Sequence, residues 1–170
     1  MKRITEVSSH LVEWKGSWEY VLRAGEDVIG TLYLKERQVT QAMAESAHGT
    51  WRFRKKWFPR EKVILYQGNS DIQLAVFKAG WGREKGALEF TDGHVYQWLS
   101  KNVWRNNCVF TDLFGEHLLY FRRKSNPISV LAVPKGYCAG TVEITRFGLH
   151  MSELPVLMLL GCYLMIIDSI

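Results

Sequence analysis

The sequence predicts a mainly β fold, a closed antiparallel barrel of about 12 strands that surrounds one hydrophobic C-terminal helix. Two observations lead to this prediction. Nearly every segment before Met151 alternates apolar and polar residues in short runs separated by Gly, Asn and Asp, which is typical of strands and turns. The end of the chain instead holds an uninterrupted uncharged run from Leu154 to Ile167. The order is therefore many strands followed by one helix, within a single domain that covers residues 1–170.

The strands follow one another along the chain. The stretch "SWEYVLRAGEDVIGTLYL" predicts two strands with a turn from Ala24 to Asp27, and residues 39–66 predict a strand pair that turns around Trp57 to Arg60. Further turns are predicted at residues 68–70 and near Gly80, where "GWGREKG" reads as a hairpin turn. The remaining predicted strands lie within residues 91–100, 108–123, 128–136 and 139–147.

The uncharged run predicts a buried helix over residues 152–167. Ser152 is expected to be its N-cap, Glu153 suits the positive end of the helix dipole, and Pro155 falls in the first turn. Because this helix is apolar on every side, it must be enclosed on every side. A barrel of about 8 strands is filled by its own side chains, so about twelve strands are needed to hold a helix. The residues expected at the centre of the core are Val156, Leu157, Leu160, Leu164 and Ile167.

The same run has a second interpretation, in which residues 154–167 enter a membrane. The chain would then be a tail-anchored membrane protein or a protein similar to lipid scramblases. A helix of this length spans about 21 Å, whereas the hydrocarbon core of a bilayer is about 30 Å thick. No Lys or Arg follows the run, although basic residues commonly flank a membrane anchor. The buried helix is therefore preferred, and an integral membrane protein is not expected.

Several motifs together resemble a known family. They are "DVIGTLYL", "GTWRFRKKW", "ALEFTDGHVYQW", "FTDLFGEHLLYFRR" and "ELPVLMLLGCYLMII", between about Asp27 and Ile167. In this combination the chain resembles the tubby C-terminal-like superfamily, on its branch of LURP-one-related and phospholipid-scramblase-like proteins, and is most similar to small prokaryotic members. The resemblance implies a 12-stranded barrel around a central C-terminal helix. It also implies binding to phosphoinositides, which tubby domains recognise.

Two basic stretches are the predicted binding residues. In "WRFRKKWFPREK", Arg52 and Arg54 alternate with Trp51 and Phe53, so the arginines are expected to face outward. If the two stretches meet at one end of the barrel, they form a patch for anionic phospholipid headgroups. Alternatively, these charges only keep the outer face hydrated and block edge pairing. The candidate residues are Arg52, Arg54, Lys55, Lys56, Arg60, Arg122, Arg123 and Lys124.

Other chemistries find little support in the sequence. The five histidines lie on separate segments, and the acidic residues at the turns, such as Asp92 and Asp112, suit backbone capping better than catalysis. There is no acidic calcium loop, and three separated cysteines argue against disulfides and against a cysteine zinc site. The net charge of +5 is too small and scattered to favour nucleic acid. No catalytic residue, metal or cofactor is predicted.

The expected function is that of a non-enzymatic binding or scaffold module. It would be cytoplasmic and peripherally attached to anionic phospholipid, with a protein partner as a further candidate. The odd cysteine count fits a reducing compartment, and the N-terminal residues contain no apolar stretch that would indicate a secretory signal.

Overall fold

Twelve antiparallel strands form one closed barrel in the computed structural model, which describes residues 1–6, 10–35, 38–57, 59–80, 84–124 and 137–169. Each strand pairs with the next along the chain, and the first pairs with the last. The strands are β1 (Leu11–Ser17), β2 (Glu19–Ala24), β3 (Asp27–Lys35), β4 (Gln38–Ser46), β5 (Gly49–Lys56), β6 (Lys62–Gln67), β7 (Gln73–Ala79), β8 (Lys85–Phe90), β9 (Val95–Ser100), β10 (Asn107–Thr111), β11 (His117–Arg123) and β12 (Cys138–Ile144).

The predicted fold class is confirmed, but two details of the strand assignment are wrong. Residues 39–66 belong to three strands rather than two, because a tight turn at Ala47 and His48 separates β4 from β5. Strand β1 was not among the predicted strands, although Val12 and Trp14 are buried and alternate with exposed residues as a strand requires. The strand predicted within residues 128–136 lies outside the described residues.

The one α-helix of the described residues, α1 (Leu154–Ile167), follows a short 3-10 turn at Gly148–His150 and has all of its residues buried. The five residues expected at its core are among them. Pro155 occupies the first turn as predicted. The prediction of Ser152 as N-cap is wrong: Glu153 occupies that position, no side chain caps the helix, and Ser152 Oγ instead donates to Glu153 Oε2 at 2.8 Å.

Contacts on several walls place α1 inside the barrel. The Tyr163 hydroxyl donates to the Val39 carbonyl at 2.7 Å, and the Tyr163 ring packs on Phe53 of β5 with 5.5 Å between ring centroids. Across the barrel, the Phe121 ring of β11 lies so close to Gly161 that no Cβ would fit there. Within the described residues, no helix is both long and apolar enough to cross a membrane.

Candidate functional site

The two ends of the barrel carry different charges. In this meander, the connections that lead from odd-numbered to even-numbered strands lie at the end where α1 terminates. Arg123 at the end of β11 marks this end, since its Nη1 donates to the Met165 carbonyl at 3.3 Å. The other connections lie where α1 begins, and His94 in the β8–β9 turn contacts Glu153 there.

At the end where α1 terminates, which we name the basic end, cationic side chains outnumber anionic ones. The described cations here are Lys35, Lys56, Arg60, Lys62, Lys78, Lys85, Lys101, Arg105, Arg122, Arg123 and Lys124, and the anions are Glu19, Glu61, Glu84 and Asp168.

At the opposite end, which we name the acidic end, the balance is reversed. Its described anions are Glu26, Asp27, Glu45, Asp71, Glu89, Asp92, Asp112, Glu116, Glu143 and Glu153, and its cations are Lys2, Arg3, Arg23 and Arg146. The modest net charge of the chain therefore conceals a strong separation of charge along the barrel axis.

Arg52 and Arg54 point outward, as predicted, but differ in their surroundings. Arg52 Nη2 contacts Asp71 Oδ1 at 2.9 Å and the Ser70 carbonyl at 3.0 Å, and its guanidinium lies 4.8 Å from the Tyr66 ring centroid. These partners lie on β6 and in the β6–β7 turn at the acidic end, so the guanidinium of Arg52 is already bound by groups of the protein itself. Arg54 is exposed.

Lys55 is a correction to the predicted binding residues, because its side chain is only 1% exposed. The alternation of β5 places Lys55 on the inner face together with Phe53. Its ammonium lies 2.6 Å from Glu61 Oε1 and 3.9 Å from the centroid of the Trp57 ring. Lys55 therefore holds the β5–β6 turn in place and is not available to a ligand.

The second predicted cluster is also partly engaged inside the protein. The Arg123 guanidinium donates to the last turn of α1, where a cation interacts favourably with the helix dipole. Lys124 pairs with Glu13 at 2.8 Å on the surface. Arg122 is exposed. Within the described part of the chain, the predicted candidates whose side chains make no hydrogen bond or ion pair are thus Arg54, Lys56, Arg60 and Arg122.

The two predicted clusters do not form one patch. Strands β5 and β11 lie six positions apart in either direction around the barrel, so they stand on opposite walls. At about 4.8 Å between strands and a tilt of about 40°, those walls are roughly 20–25 Å apart. Both clusters nevertheless lie beside the basic end, on opposite walls of the barrel.

A row of lysines that the sequence did not predict crosses three strands at this end. Lys56 pairs in register with Lys62, and Lys62 pairs with Lys78. Side chains directly opposite one another on neighbouring strands have Cβ atoms about 5 Å apart, and like charges in such positions repel. Of these three lysines, Lys78 pairs with Glu89, whose Oε2 lies 2.5 Å from its ammonium. A surface cleft of about 310 Å³ lies beside the row and includes Arg60.

Large apolar side chains protrude from the same end. Trp57 is 54% exposed, and Val103 and Trp104 in the β9–β10 loop are 80% and 79% exposed. The loop is braced from within: the Asn106 amide donates to Asn102 Oδ1 at 3.2 Å, and the Arg105 amide donates to the Asn102 carbonyl at 3.1 Å. The basic end therefore presents aromatic side chains from ordered loops between lysines and arginines.

At the acidic end, Asp92, His94 and Glu153 have donor atoms within 4.8 Å of one another and, within the described part of the chain, are the group that could hold a metal ion. His94 Nδ1 lies 2.6 Å from Glu153 Oε1 and 3.5 Å from Asp92 Oδ2. Sequence reasoning missed this cluster because Glu153 is 59 residues away from His94. The contact between His94 and Glu153 connects the β8–β9 turn to the start of α1.

The acidic turn residues behave as predicted. Asp92 Oδ1 accepts a hydrogen bond from the His94 amide at 3.1 Å, and Asp112 Oδ1 accepts from the amides of Phe114 and Glu116 at 2.9 Å. Both carboxylates therefore cap the backbone of their own turns.

The cysteine thiols are poorly suited to nucleophilic chemistry. Cys108, Cys138 and Cys162 are all buried and free. Burial raises the pKa of Cys108 to about 11 and raises the pKa of Cys162 well above its ordinary value. The thiolate is the reactive form of cysteine, so these groups stay protonated and unreactive near neutral pH.

The fold and its ends thus define a closed β barrel with an enclosed helix, polarised into a basic and an acidic end. Comparisons with models of protein families, with curated proteins and with solved structures found no match to this chain. The resemblance to the tubby C-terminal-like superfamily therefore stays a prediction.

Proposed function

We propose that this chain is a non-enzymatic binding module that attaches peripherally to anionic phospholipid, with its basic end against the bilayer. The observation that carries the proposal is the exposure of Trp57 and Trp104 at the same end as the lysine row. Tryptophan partitions to the headgroup level of membranes, and lysine and arginine are attracted to anionic lipid. The two kinds of side chain on one surface fit peripheral attachment.

The expected strength of attachment follows from the same residues. Each cation near an anionic membrane surface contributes about 1 kcal/mol, and the contribution falls as salt screens it. Lys56, Arg60 and Arg122 are exposed and unpaired among the described residues, so they are the main contributors. The few exposed apolar side chains add anchoring without deep insertion. Binding should therefore be reversible and sensitive to salt.

The proposal also uses the resemblance to tubby-like proteins, which implies recognition of phosphoinositide headgroups. The cleft beside Arg60, Lys62 and Lys78 is where a phosphorylated headgroup would meet several cations at once. The alternative in which residues 154–167 serve as the membrane segment is less well supported, because every residue of α1 is buried inside the barrel.

The test is co-sedimentation of the full chain with vesicles of phosphatidylcholine, alone or mixed with phosphatidylserine or with a phosphoinositide. The variant K56E/R60E should bind the anionic vesicles at least about thirtyfold more weakly, since two contributions of about 1 kcal/mol are lost and the new carboxylates are repelled. The matched control is K2E/R146E, which changes the net charge equally at the acidic end and should bind nearly as well as the wild type.

Three results would contradict the proposal. They are binding to phosphatidylcholine alone that equals binding to anionic vesicles, retention of the protein on vesicles at high salt, and equal loss of binding in the two double variants. The last result would mean that only the net charge matters and that the basic end has no particular role.

A further inference from the structure

We infer that copies of this chain stack head to tail, with Trp104 at the basic end of one copy seated in a cleft at the acidic end of the next. This inference goes beyond attachment to lipid and concerns a partner that is present in every solution of the protein. It rests on three features: the protruding side chain of Trp104, a cleft with apolar walls, and charges of opposite sign beside the side chain and beside the cleft.

The protruding group is the tip of the β9–β10 loop. Among the described large apolar residues of the basic end, Val103 and Trp104 are the most exposed, and the hydrogen bonds of Asn102 and Asn106 hold the loop that carries them. An apolar side chain held out in water by an ordered loop loses little conformational freedom when it is buried by a partner. Trp104 is therefore suited to act as an interface anchor.

The receiving cleft lies between the β8–β9 and β10–β11 turns. It has a volume of about 210 Å³ and is lined by His94, Tyr96, Leu113 and Phe114, among others. Phe114 is 94% exposed, yet its turn is fixed by the two hydrogen bonds that Asp112 Oδ1 accepts. The cleft thus offers aromatic and apolar walls on a rigid support.

The topology brings the two features into line. Strands β8, β9, β10 and β11 are neighbours in the barrel. At the basic end the β9–β10 loop joins the middle two of them. At the acidic end the β8–β9 and β10–β11 turns, which form the cleft, join the same four strands in pairs. If a second copy is moved along the barrel axis of the first and rotated about that axis to allow for the strand tilt, the β9–β10 loop of one copy lies over the cleft of the other. The contact is heterologous and can repeat in an open series.

Charges beside the two surfaces are complementary. At the basic end of this sector, Lys85, Lys101 and Arg122 are exposed around the β9–β10 loop, and the exposed anion among the described residues there is Glu84. At the acidic end of the same strands, Asp92 follows β8 and Glu116 precedes β11, and both are exposed. Opposite potentials steer association and fix its orientation. Both complementary surfaces belong to one chain, so a second copy is the partner that fits.

The test is sedimentation velocity of the full chain without vesicles over a range of protein concentrations. The wild type should form a growing series of oligomers, and W104S or F114S alone should weaken association about tenfold or more, as expected for an interface anchor. The control I72S removes a side chain that is 61% exposed at the acidic end outside the cleft, and it should assemble like the wild type.

A mixing experiment distinguishes stacking from other modes of association. W104S keeps an intact cleft and F114S keeps Trp104, so an equal mixture should form dimers and stop there. A wild type that remains monomeric up to its solubility limit would overturn the inference. Assembly that survives both variants, or a mixture that contains no dimer, would overturn it equally. The vesicle experiment tests lipid binding separately; in a stack, Trp104 of the terminal copy alone would remain exposed to a bilayer.

Discussion

Lys55 Nζ lies 2.6 Å from Glu61 Oε1, and the two residues belong to opposite sides of the β5–β6 turn. The lysine side chain is 1% exposed and the glutamate side chain 18% exposed, so the pair is largely removed from water. The Trp57 ring covers the ammonium from one side. Glu61 also borders a small cleft beside Leu164 and Ile167 at the end of α1. The pair thus fixes the turn that carries two residues of the proposed membrane surface.

Replacing Glu61 alone should be strongly destabilising. In E61L the Lys55 ammonium stays buried without its carboxylate, and the loss of one partner of a buried ion pair costs about 3–5 kcal/mol. The free energy of unfolding from urea titration measures the change.

The matched control for this prediction is the double variant K55M/E61L, which removes both charges and keeps similar volume. It should recover most of the lost stability, since apolar replacements of buried pairs are often neutral. Equal stability of E61L and the wild type would show that the pair is not buried in solution.

Gly161 is expected to tolerate no larger residue. A Cβ at this position of α1 would overlap Cζ of the Phe121 ring. G161A should therefore destabilise the protein by about 1–3 kcal/mol through overpacking, although alanine normally favours helices. The melting temperature measures the change. The double variant G161A/F121L should regain part of the loss, and a stabilised G161A would place Phe121 elsewhere.

The carboxyl group of Glu153 should make stability depend on pH. Burial raises the pKa of Glu153, but hydrogen bonds from Ser152, from the backbone and from His94 outweigh burial and hold the pKa below its ordinary 4.5. A lowered pKa in the folded state contributes stability above the unfolded pKa, and this contribution is lost as pH falls through the folded pKa.

Urea titrations at about pH 6 and about pH 3 test this prediction. The wild type should lose more stability between the two than E153Q, which has no proton to take up. E116Q alters an exposed acidic residue at the same end and should follow the wild type. Identical pH dependence of the wild type and E153Q would contradict the prediction.

The sequence predicted the enclosure of α1 because a helix without a polar face must be shielded from water on every side. The uncharged run alone dictated burial, and the size of a helix then dictated the number of strands. The burial of Lys55 could also have been foreseen, since the alternation that places Phe53 inside places Lys55 on the same face. Because lysine is hydrophilic, Lys55 was expected to be exposed in spite of this alternation.

The lysine row and the cluster at His94 could not be predicted in the same way. Lys56, Lys62 and Lys78 become neighbours only through the register of β5, β6 and β7, which short segments of sequence do not specify. Glu153 reaches His94 because α1 begins beside the β8–β9 turn, and that placement depends on closure of the whole barrel. The separation of charge between the ends arises from the same closure.

The pairing of β1 with β12 and the position of α1 after β12 have a consequence for biosynthesis. A nascent chain that has not yet passed Ile167 can form hairpins, but it has neither a closed sheet nor the helix that fills its interior. Until then, the inward sides of its strands remain open to water, to proteases and to other chains. Most of the cooperative folding of this barrel can therefore occur only after residues up to Ile167 have been synthesised.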